Sequence, residues 1–172
     1  SNDFWWMMGR WLGDGSISKR GDNMQLTISC GKHEEKELSE KLSVFYPKNK
    51  RSGKSEIRFY SRETRTAFNI DFFHDGLSEW VLEHFGKGAM GKKIPTFAYT
   101  MPVKFRQQLL DGYLSADGST TDKLCQCSTV SKKLAYGIKL LSQSLGNCVR
   151  VNKYPPRGNP IEGRLLKTEQ PF

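Results

Sequence analysis

Asp14 and Asp117, each followed by glycine at the end of an apolar stretch, are the residues of this chain best placed to do chemistry. The stretches that carry them are FWWMMGRWLGDGS, from Phe4 to Ser16, and RQQLLDGYLSADGS, from Arg106 to Ser119. Overlaid, they pair Gly9 with Gly112, Gly13 with Ala116, Asp14 with Asp117, Gly15 with Gly118 and Ser16 with Ser119. Small residues one helical turn apart share a face and leave no side chain to hold a partner helix away, so two such faces can pack backbone to backbone. The glycine after each acid suits the left-handed residue that closes a helix, which puts each Asp at a C-terminus, where the dipole disfavours its charge. If the helices lie parallel, the two carboxylates meet at one end and cations relieve their repulsion. With carbonyl oxygens beside them, they form a hard-oxygen site suited to Mg²⁺. The plainer alternative, two buried helices with glycine C-caps and solvated acids, accounts for either copy alone but poorly for two in register.

A net charge of +9, from 27 Lys and Arg against 18 Asp and Glu, and a pI near 9.4 point to a polyanionic partner. Nucleic acid is the usual one and anionic lipid the rival. No apolar run approaches the length of a membrane span, and the N-terminal aromatic stretch lacks the basic lead-in of a signal peptide, so the expectation is an intracellular protein without a membrane partner. At 172 residues the chain is long enough for one full core, or for two half-domains sharing one. Cys30, Cys125, Cys127 and Cys148 form no C-x-x-C pair, and three histidines leave little to complete a zinc site. All four cysteines read as small apolar residues in a reducing compartment. His33, His74 and His84 lack the spacing of an HNH nuclease.

The elements that must hold the two acids follow in order. Residues 3–13 form the first helix, and DGSISKRGDNMQLTISC reads as a hairpin turning at Arg20-Gly21-Asp22-Asn23. In its second strand Met24, Leu26, Ile28 and Cys30 share one face and Gln25, Thr27 and Ser29 the other. An apolar face against helices and a hydrogen-bonding face away from them suits a β-ribbon that reads base edges; a simply solvated outer face is the alternative. Lys32 to Val44 is predicted helical, with Leu38 and Leu42 inward. The loop PKNKRSGKSE carries Lys48, Lys50, Arg51 and Lys54 and has no core to serve, which suits phosphate contact. A strand alternating Ile57 and Phe59 with Arg58 and Tyr60 precedes a predicted helical stretch from Arg62 to about Asn69, and another helix runs near Leu77 to Phe85. GKGAMGKKIPTFAYTMP joins the two halves, with Pro102 placed to open the second motif helix. DGSTTDKLCQCST then repeats the hairpin in shorter form, Cys125 and Cys127 inward and Gln126 and Ser128 outward. SKKLAYGIKLLSQSLG is an amphipathic helix ending at Gly146, and NCVRVNKY a strand with Val149 and Val151 in and Arg150 and Asn152 out. This is a duplicated half-domain rather than a solenoid, and PPRGNPIEGRLLKTEQPF offers no clear elements to complete the second copy.

From about Phe4 to Tyr154 the chain resembles the LAGLIDADG homing endonucleases in their single-chain, two-motif form. WLGDGS and YLSADGS stand where the family motifs stand, GKKIP resembles the Lys-x-Ile-Pro element of intein-borne members, and LLSQSLG resembles the helix after the second motif. The resemblance implies an α+β fold of two pseudo-symmetric αββαββα half-domains, residues 1–100 and an incomplete 101–172, around paired motif helices. Each half would contribute a four-stranded antiparallel sheet, the two forming a saddle for the DNA major groove, in a monomer with internal pseudo-two-fold symmetry. Asp14 and Asp117, helped by the carbonyls of Gly13 and Ala116, would bind Mg²⁺ ions that activate water for in-line attack and stabilise the leaving oxygen, giving a double-strand cut with 3′ overhangs. Lys92, with Lys93 beside it, would lie near the scissile phosphate and stabilise charge or assist water deprotonation; a basic turn touching the DNA backbone is the equal alternative. DNA contacts are expected from Ser16, Ser18, Arg20, Gln25, Thr27, Ser29, Arg58, Tyr60 and Arg62 in the first half. In the second half they are expected from Thr121, Lys123, Gln126, Ser128, Arg150 and Asn152. Arg10 and Trp11 are bulky for a motif helix and are expected to face away from the helix pair.

The function implied is a metal-dependent, site-specific endonuclease that makes double-strand breaks in a long DNA target and promotes intein or intron mobility. An RNA maturase on the same scaffold and a non-catalytic DNA-binding regulator are the rivals. A regulator could lose its acids freely, so retention of both speaks for chemistry. Splicing would need an N-terminal nucleophile and a terminal His-Asn pair, and neither occurs here. The expectation is therefore a free-standing or intron-encoded enzyme, or the excised endonuclease region of an intein.

Overall fold

The computed structural model describes residues 1–20, 23–45, 58–64, 67–121, 124–154, 160–161 and 164–165. The first half runs α1 (Asn2–Asp14), β1 (Gly15–Arg20), β2 (Asn23–Gly31), α2 (Glu35–Leu42), β3 (Arg58–Glu63), β4 (Ala67–Phe73) and α3 (Asp75–Phe85). A single helical turn, α4 (Gly88–Gly91), and a 3₁₀ turn (Thr96–Thr100) lead into α5 (Val103–Asp117), β5 (Gly118–Thr121), β6 (Leu124–Cys127), α6 (Lys132–Gln143), β7 (Pro160–Ile161) and β8 (Arg164–Leu165). Pro102 stands immediately before α5, where its fixed φ and missing N–H cost the helix nothing. Among the described residues no helix is long and apolar enough to cross a membrane.

The first-half sheet is antiparallel throughout, in the order β1-β2-β4-β3. Leu26 pairs with Phe72, Ile28 with Ile70 and Cys30 with Phe68, which makes one face of the two central strands continuously apolar and buries it under the helices. The stretch from Arg62 to Asn69, predicted helical, is instead the β3–β4 hairpin, with Arg62 paired to Asn69. Phe68, Ile70 and Phe72 alternate with Asn69 and Asp71, a period of two that in a strand puts the apolar side chains together on one face. Thr64 closes the turn, its amide and hydroxyl both donating to the Ala67 carbonyl. The helix predicted from Lys32 to Val44 forms as α2 with a 3₁₀ turn at each end.

The second half departs further from expectation. β5 and β6 pair in the register of β1 and β2, Gly118 with Cys127 and Thr120 with Cys125, but no third strand joins them among the described residues, and all of β6 is exposed. Cys125 and Cys127 take the positions of Leu26 and Ile28 without a core to cover them. Of the four cysteines only Cys30 is buried, and all four are free thiols. The strand predicted over NCVRVNKY does not form, since among the described residues no neighbour supplies a ladder, and there β7 and β8 pair with each other. The expected four-stranded sheet is thus built in the first half and not, among the described residues, in the second.

Candidate active site

The small residues of the two motifs are where the helices touch. A Cβ built on Gly9 would lie 2.1 Å from the Leu109 carbonyl oxygen and 2.7 Å from the Tyr113 amide nitrogen, and one on Gly112 would lie 2.0 Å from the Trp6 carbonyl oxygen. Further along, a Cβ on Gly13 would lie 2.3 Å from the Ala116 Cβ. The contacts advance together along both chains, so α1 and α5 run parallel, and their shared end carries Asp14 and Asp117. That same Gly13 Cβ would be 3.3 Å from Asp117 Oδ2. The closing glycines differ from expectation. Gly15 (φ −89°) and Gly118 (φ −82°) are extended rather than left-handed, because each helix passes directly into a strand. Glycine is required there by crowding, since a Cβ on Gly15 would lie 2.2 Å from Trp11 Cδ1 and one on Gly118 2.2 Å from the Leu114 carbonyl oxygen.

Both acids are half-buried, and burial raises their pKa above the ordinary carboxylate range. The charge of Asp14 pushes Asp117 up further, whereas Arg10 draws Asp14 back. Arg10 does not face away from the helix pair. It is 3% exposed and reaches the rim of the seam, where Nη1 donates to the Ser115 carbonyl of α5 and Nη2 lies 3.1 Å from Asp14 Oδ2 and 2.9 Å from Glu34 Oε1. Burial pushes Glu34 upward, but the Gly31 amide and the Arg10 guanidinium outweigh it and hold the group below its usual range. Trp11 is also buried, and its indole N–H donates to the Ser16 carbonyl. In the second copy Tyr113 occupies the place of Arg10. Its buried hydroxyl faces Asp117 and Cys127 without closing a hydrogen bond of ordinary geometry to either. The two acids therefore have unlike neighbours.

Lys92 sits beneath the same end. It is 5% exposed, and its Nζ donates to the carbonyls of Trp11 (3.1 Å), Leu12 (2.8 Å) and Gly13 (3.0 Å), neutralising the negative pole of α1. Its own carbonyl accepts from the Ser131 hydroxyl that caps α6, which fixes the backbone on which it stands. Lys93 is half-buried beside it, its amide donating to the Phe85 carbonyl. Burial lowers the Lys92 pKa to about 8, against the upward pull of Asp117 and Asp14. Between about 8 and the unperturbed 10.5, the unfolded chain holds one more proton than the folded one, so stability contributed by this group rises with pH across that window. Below it, the cost of burying the ammonium is fully present. The Cys30 thiol and Tyr113 phenol, both pushed up by burial, act the other way at high pH. Urea unfolding of the wild type and Lys92→Met from pH 7 to about 10 isolates the lysine: the difference in stability between them should shift in favour of the wild type as pH rises. A pH-independent difference would contradict the lowered pKa.

The donor set suits a hard divalent cation. Two half-buried carboxylates with raised pKa values sit at two helix C-termini, and the Ala116 and Gly13 carbonyls belong to those last turns. The Gly13 oxygen already accepts from Lys92 and keeps one lone pair. Among the described residues no cluster of three or more His, Cys, Asp or Glu side chains could hold a metal. Further ligands to an ion at the acid pair would thus be water and substrate oxygens, the habit of Mg²⁺.

No family model matches the chain. Over 147 residues it is 31% identical to the ATP-dependent DNA helicase Hel308 of Thermococcus kodakarensis, covering 81% of this chain and 12% of the helicase. Over 130 residues it is 31% identical to a DNA polymerase of Thermococcus litoralis, covering 69% of this chain and 7% of the polymerase. The chain thus spans only a small part of the curated relatives it matches. Among solved structures it is similar to the homing endonuclease I-DmoI in complex with DNA and Mn, with a TM-score of 0.56 at 11% identity, covering 84% of this chain and 76% of that one. I-DmoI in complex with DNA and Ca gives a TM-score of 0.52 at 12% identity, covering 84% and 71%. The chain has the I-DmoI fold. At such identity the likeness is one of architecture, the mixed helix and antiparallel-sheet arrangement of LAGLIDADG homing endonucleases.

In that fold the sheet surface opposite the helices is the second region of interest. Ser16 and Ser18 on β1 are exposed there, next to Thr27 and Gln25 of β2. Gln25 and Thr27 are more enclosed than an outer face suggests, because they bond each other and Asp71: Gln25 Nε2 donates to Thr27 Oγ1 (3.1 Å), and Thr27 Oγ1 donates to Asp71 Oδ1 (2.7 Å). Ser29 is partly exposed. Arg58, Tyr60 and Arg62 stand on the edge strand β3, with Tyr60 in register with Asp71, and Arg20 closes β1 opposite Asn23. In the second half Thr121, Gln126, Ser128, Arg150 and Asn152 are all exposed. Lys48, Lys50, Arg51, Lys54 and Lys123 lie outside the described residues. Asn69, at the end of the stretch expected to be helical, and Asp71, just beyond it, belong to the same face of β4; the two-residue alternation of that segment is the signal that finds them.

Proposed function

We propose that this chain is the DNA-cleaving module of a homing endonuclease, a phosphodiester hydrolase that makes divalent-metal-dependent double-strand breaks in a long DNA target. The observation that carries the reading is the meeting of Asp14 and Asp117 at one end of a parallel helix pair packed too closely for a side chain at Gly9 or Gly112, with Lys92 buried under the same end. The two carboxylates and the carbonyls of Gly13 and Ala116 are the groups that would hold divalent cations, Mg²⁺ by preference. Such cations would supply Lewis-acid stabilisation and a more acidic water. Each acid would serve one strand, which suits a duplex cut twice. Lys92 steadies the last turn of α1 and sets positive charge behind the acids, and Lys93 lies beside it as a contact for the DNA backbone.

Around this centre, residues 1–100 and 101–172 act as two half-domains of a monomer, and the outer sheet face and basic loops hold the duplex. The net charge of +9 favours that partner and makes its binding salt-dependent. The two curated relatives are a helicase and a polymerase, enzymes of unlike chemistry, yet the same module matches 12% of one and 7% of the other. A segment shared in this way suits an inserted, mobile element, and we take its role to be promotion of intein or intron mobility.

Cleavage of a duplex pool carrying randomised long sites, in Mg²⁺, in Ca²⁺ and in EDTA, tests the reading. Discrete double-strand products in Mg²⁺, absent in EDTA, are expected. Tight binding of structured intron RNA with no DNA cut in Mg²⁺ or Mn²⁺ would replace this reading with the maturase.

A further inference from the structure

Asp71 is an acid where the proposed DNA surface should be basic. It stands in the middle of the outer face of the sheet, and its side chain is 5% exposed. Both of its oxygens are engaged: Oδ1 accepts from Thr27, and Oδ2 lies 3.6 Å from Nε of Arg62, whose side chain is 57% exposed on the edge strand. Thr27 is in turn bonded by Gln25, so the carboxylate is fixed by a row that crosses β2 and β4. A carboxylate this enclosed, hydrogen-bonded through Oδ1 and ion-paired through Oδ2, is poorly placed to touch a base itself. It does orient the guanidinium. Nε is the nitrogen that meets the carboxylate, so the two terminal nitrogens are not the ones that contact Asp71.

We infer that Arg62 reads a guanine in the major groove of the target and that Asp71 is the positioning residue that presents it. The inference rests on the reading of this face as a DNA surface. A guanidinium offers two parallel donors that match guanine O6 and N7, and no other base presents two acceptors at that spacing in the major groove. An unsupported arginine on an edge strand would spread over many rotamers and meet the nearest phosphate instead, giving affinity without sequence preference. An ion pair from Nε to a buried acid narrows that freedom and leaves the two terminal donors to match a guanine. The negative charge of Asp71 also disfavours a phosphate close by.

Selection of bound sites from a randomised duplex pool in Ca²⁺, by the wild type, Arg62→Ala, Arg62→Lys and Asp71→Asn, decides the matter. The wild-type consensus should contain a guanine whose enrichment falls by about 10-fold or more in Arg62→Ala and Arg62→Lys, other positions holding. Asp71→Asn, which keeps an acceptor for Thr27, should weaken preference at that same position alone. Arg62→Lys retains the charge, so it separates base reading from phosphate attraction even if Asp71→Asn fails to fold. An unchanged consensus in the arginine variants, with affinity lowered evenly and a shallower salt dependence, would make Arg62 a phosphate contact and overturn the inference while leaving the DNA-surface reading intact. A wild type that selects no consensus would overturn both.

Discussion

Asp14→Asn and Asp117→Asn should each abolish double-strand cleavage while duplex binding and the fold are retained. Asparagine has the shape of aspartate, so the last turns of α1 and α5 and the seam between them have no reason to move. What changes is charge. Burial disfavours ionisation of both carboxylates, the charge of Asp14 adds to this at Asp117 and that of Glu34 at Asp14, while Arg10 and Lys92 oppose it at both and Tyr113 at Asp117. A neutral amide at either position relieves that repulsion, so the melting temperature should hold or rise. It also removes an anionic oxygen from the cation site. Substitutions that merely orient metal ligands cost roughly 10- to 100-fold in affinity or activity, and losing a charged ligand itself should cost at least as much. Binding to the phosphate backbone should not weaken, because the change removes negative charge from the end of the helix pair proposed to face the DNA. Gel analysis of both strands, beside a binding assay in Ca²⁺, reads the two effects separately. Full cutting by either variant would remove the acids from the chemistry.

Gly112→Val is expected to have the largest effect on stability. Even the first carbon of a side chain at Gly112 would lie 2.0 Å from the Trp6 carbonyl oxygen and 2.9 Å from the Arg10 amide nitrogen, both backbone atoms of α1 that cannot swing away. The helices must separate, and separation exposes the packing of Leu109 and Tyr113 against α1 and breaks the Arg10 bond to Ser115. Overpacking of side chains alone costs about 1–3 kcal/mol, and a backbone clash belongs at or beyond the top of that range. For a chain of this size, each kcal/mol shifts the melting temperature by about 2–4 °C, so Gly112→Ala should lose roughly 10 °C and Gly112→Val should lose cooperative unfolding. Gly91→Ala is the control, since an added Cβ there meets no atom within 4 Å, and its melting temperature should be unchanged. A Gly112→Val protein as stable as the control would mean that the helices do not pack as described.

The parts of this arrangement that repetition or periodicity marks were legible in the sequence. Two copies of a small-x-x-x-small pattern ending in Asp-Gly foretold the helix pair and the meeting of its acids, because close backbone approach permits only Gly and Ala. Alternation in MQLTISC foretold β2 and its apolar face. The same alternation in FNIDFF was overlooked beside the charged run before it, and Asn69 and Asp71 were lost with it. Other features depend on tertiary contacts that no local pattern encodes. Nothing in the sequence near Arg10 says that its guanidinium will reach the Ser115 carbonyl, since that acceptor comes from a distant helix. Lys92 could be placed near the acids only through the Lys-x-Ile-Pro resemblance. That its ammonium would be buried on three α1 carbonyls, with its pKa drawn to about 8, follows from how α1 and the α4 turn pack. The second-half strand expected at Val149 and Val151 has the right alternation but, among the described residues, no neighbour to pair with.

Anomalous diffraction at the manganese edge, from crystals of the protein grown with duplex DNA and Mn²⁺, would locate any divalent ion directly. The expected result is a peak within about 2.0–2.3 Å of carboxylate oxygens of both Asp14 and Asp117, lost from crystals of the double variant Asp14→Asn, Asp117→Asn. Peaks on DNA phosphates alone, identical in the wild type and the double variant, would show that the paired helix ends bind no metal and that these acids are not a catalytic centre.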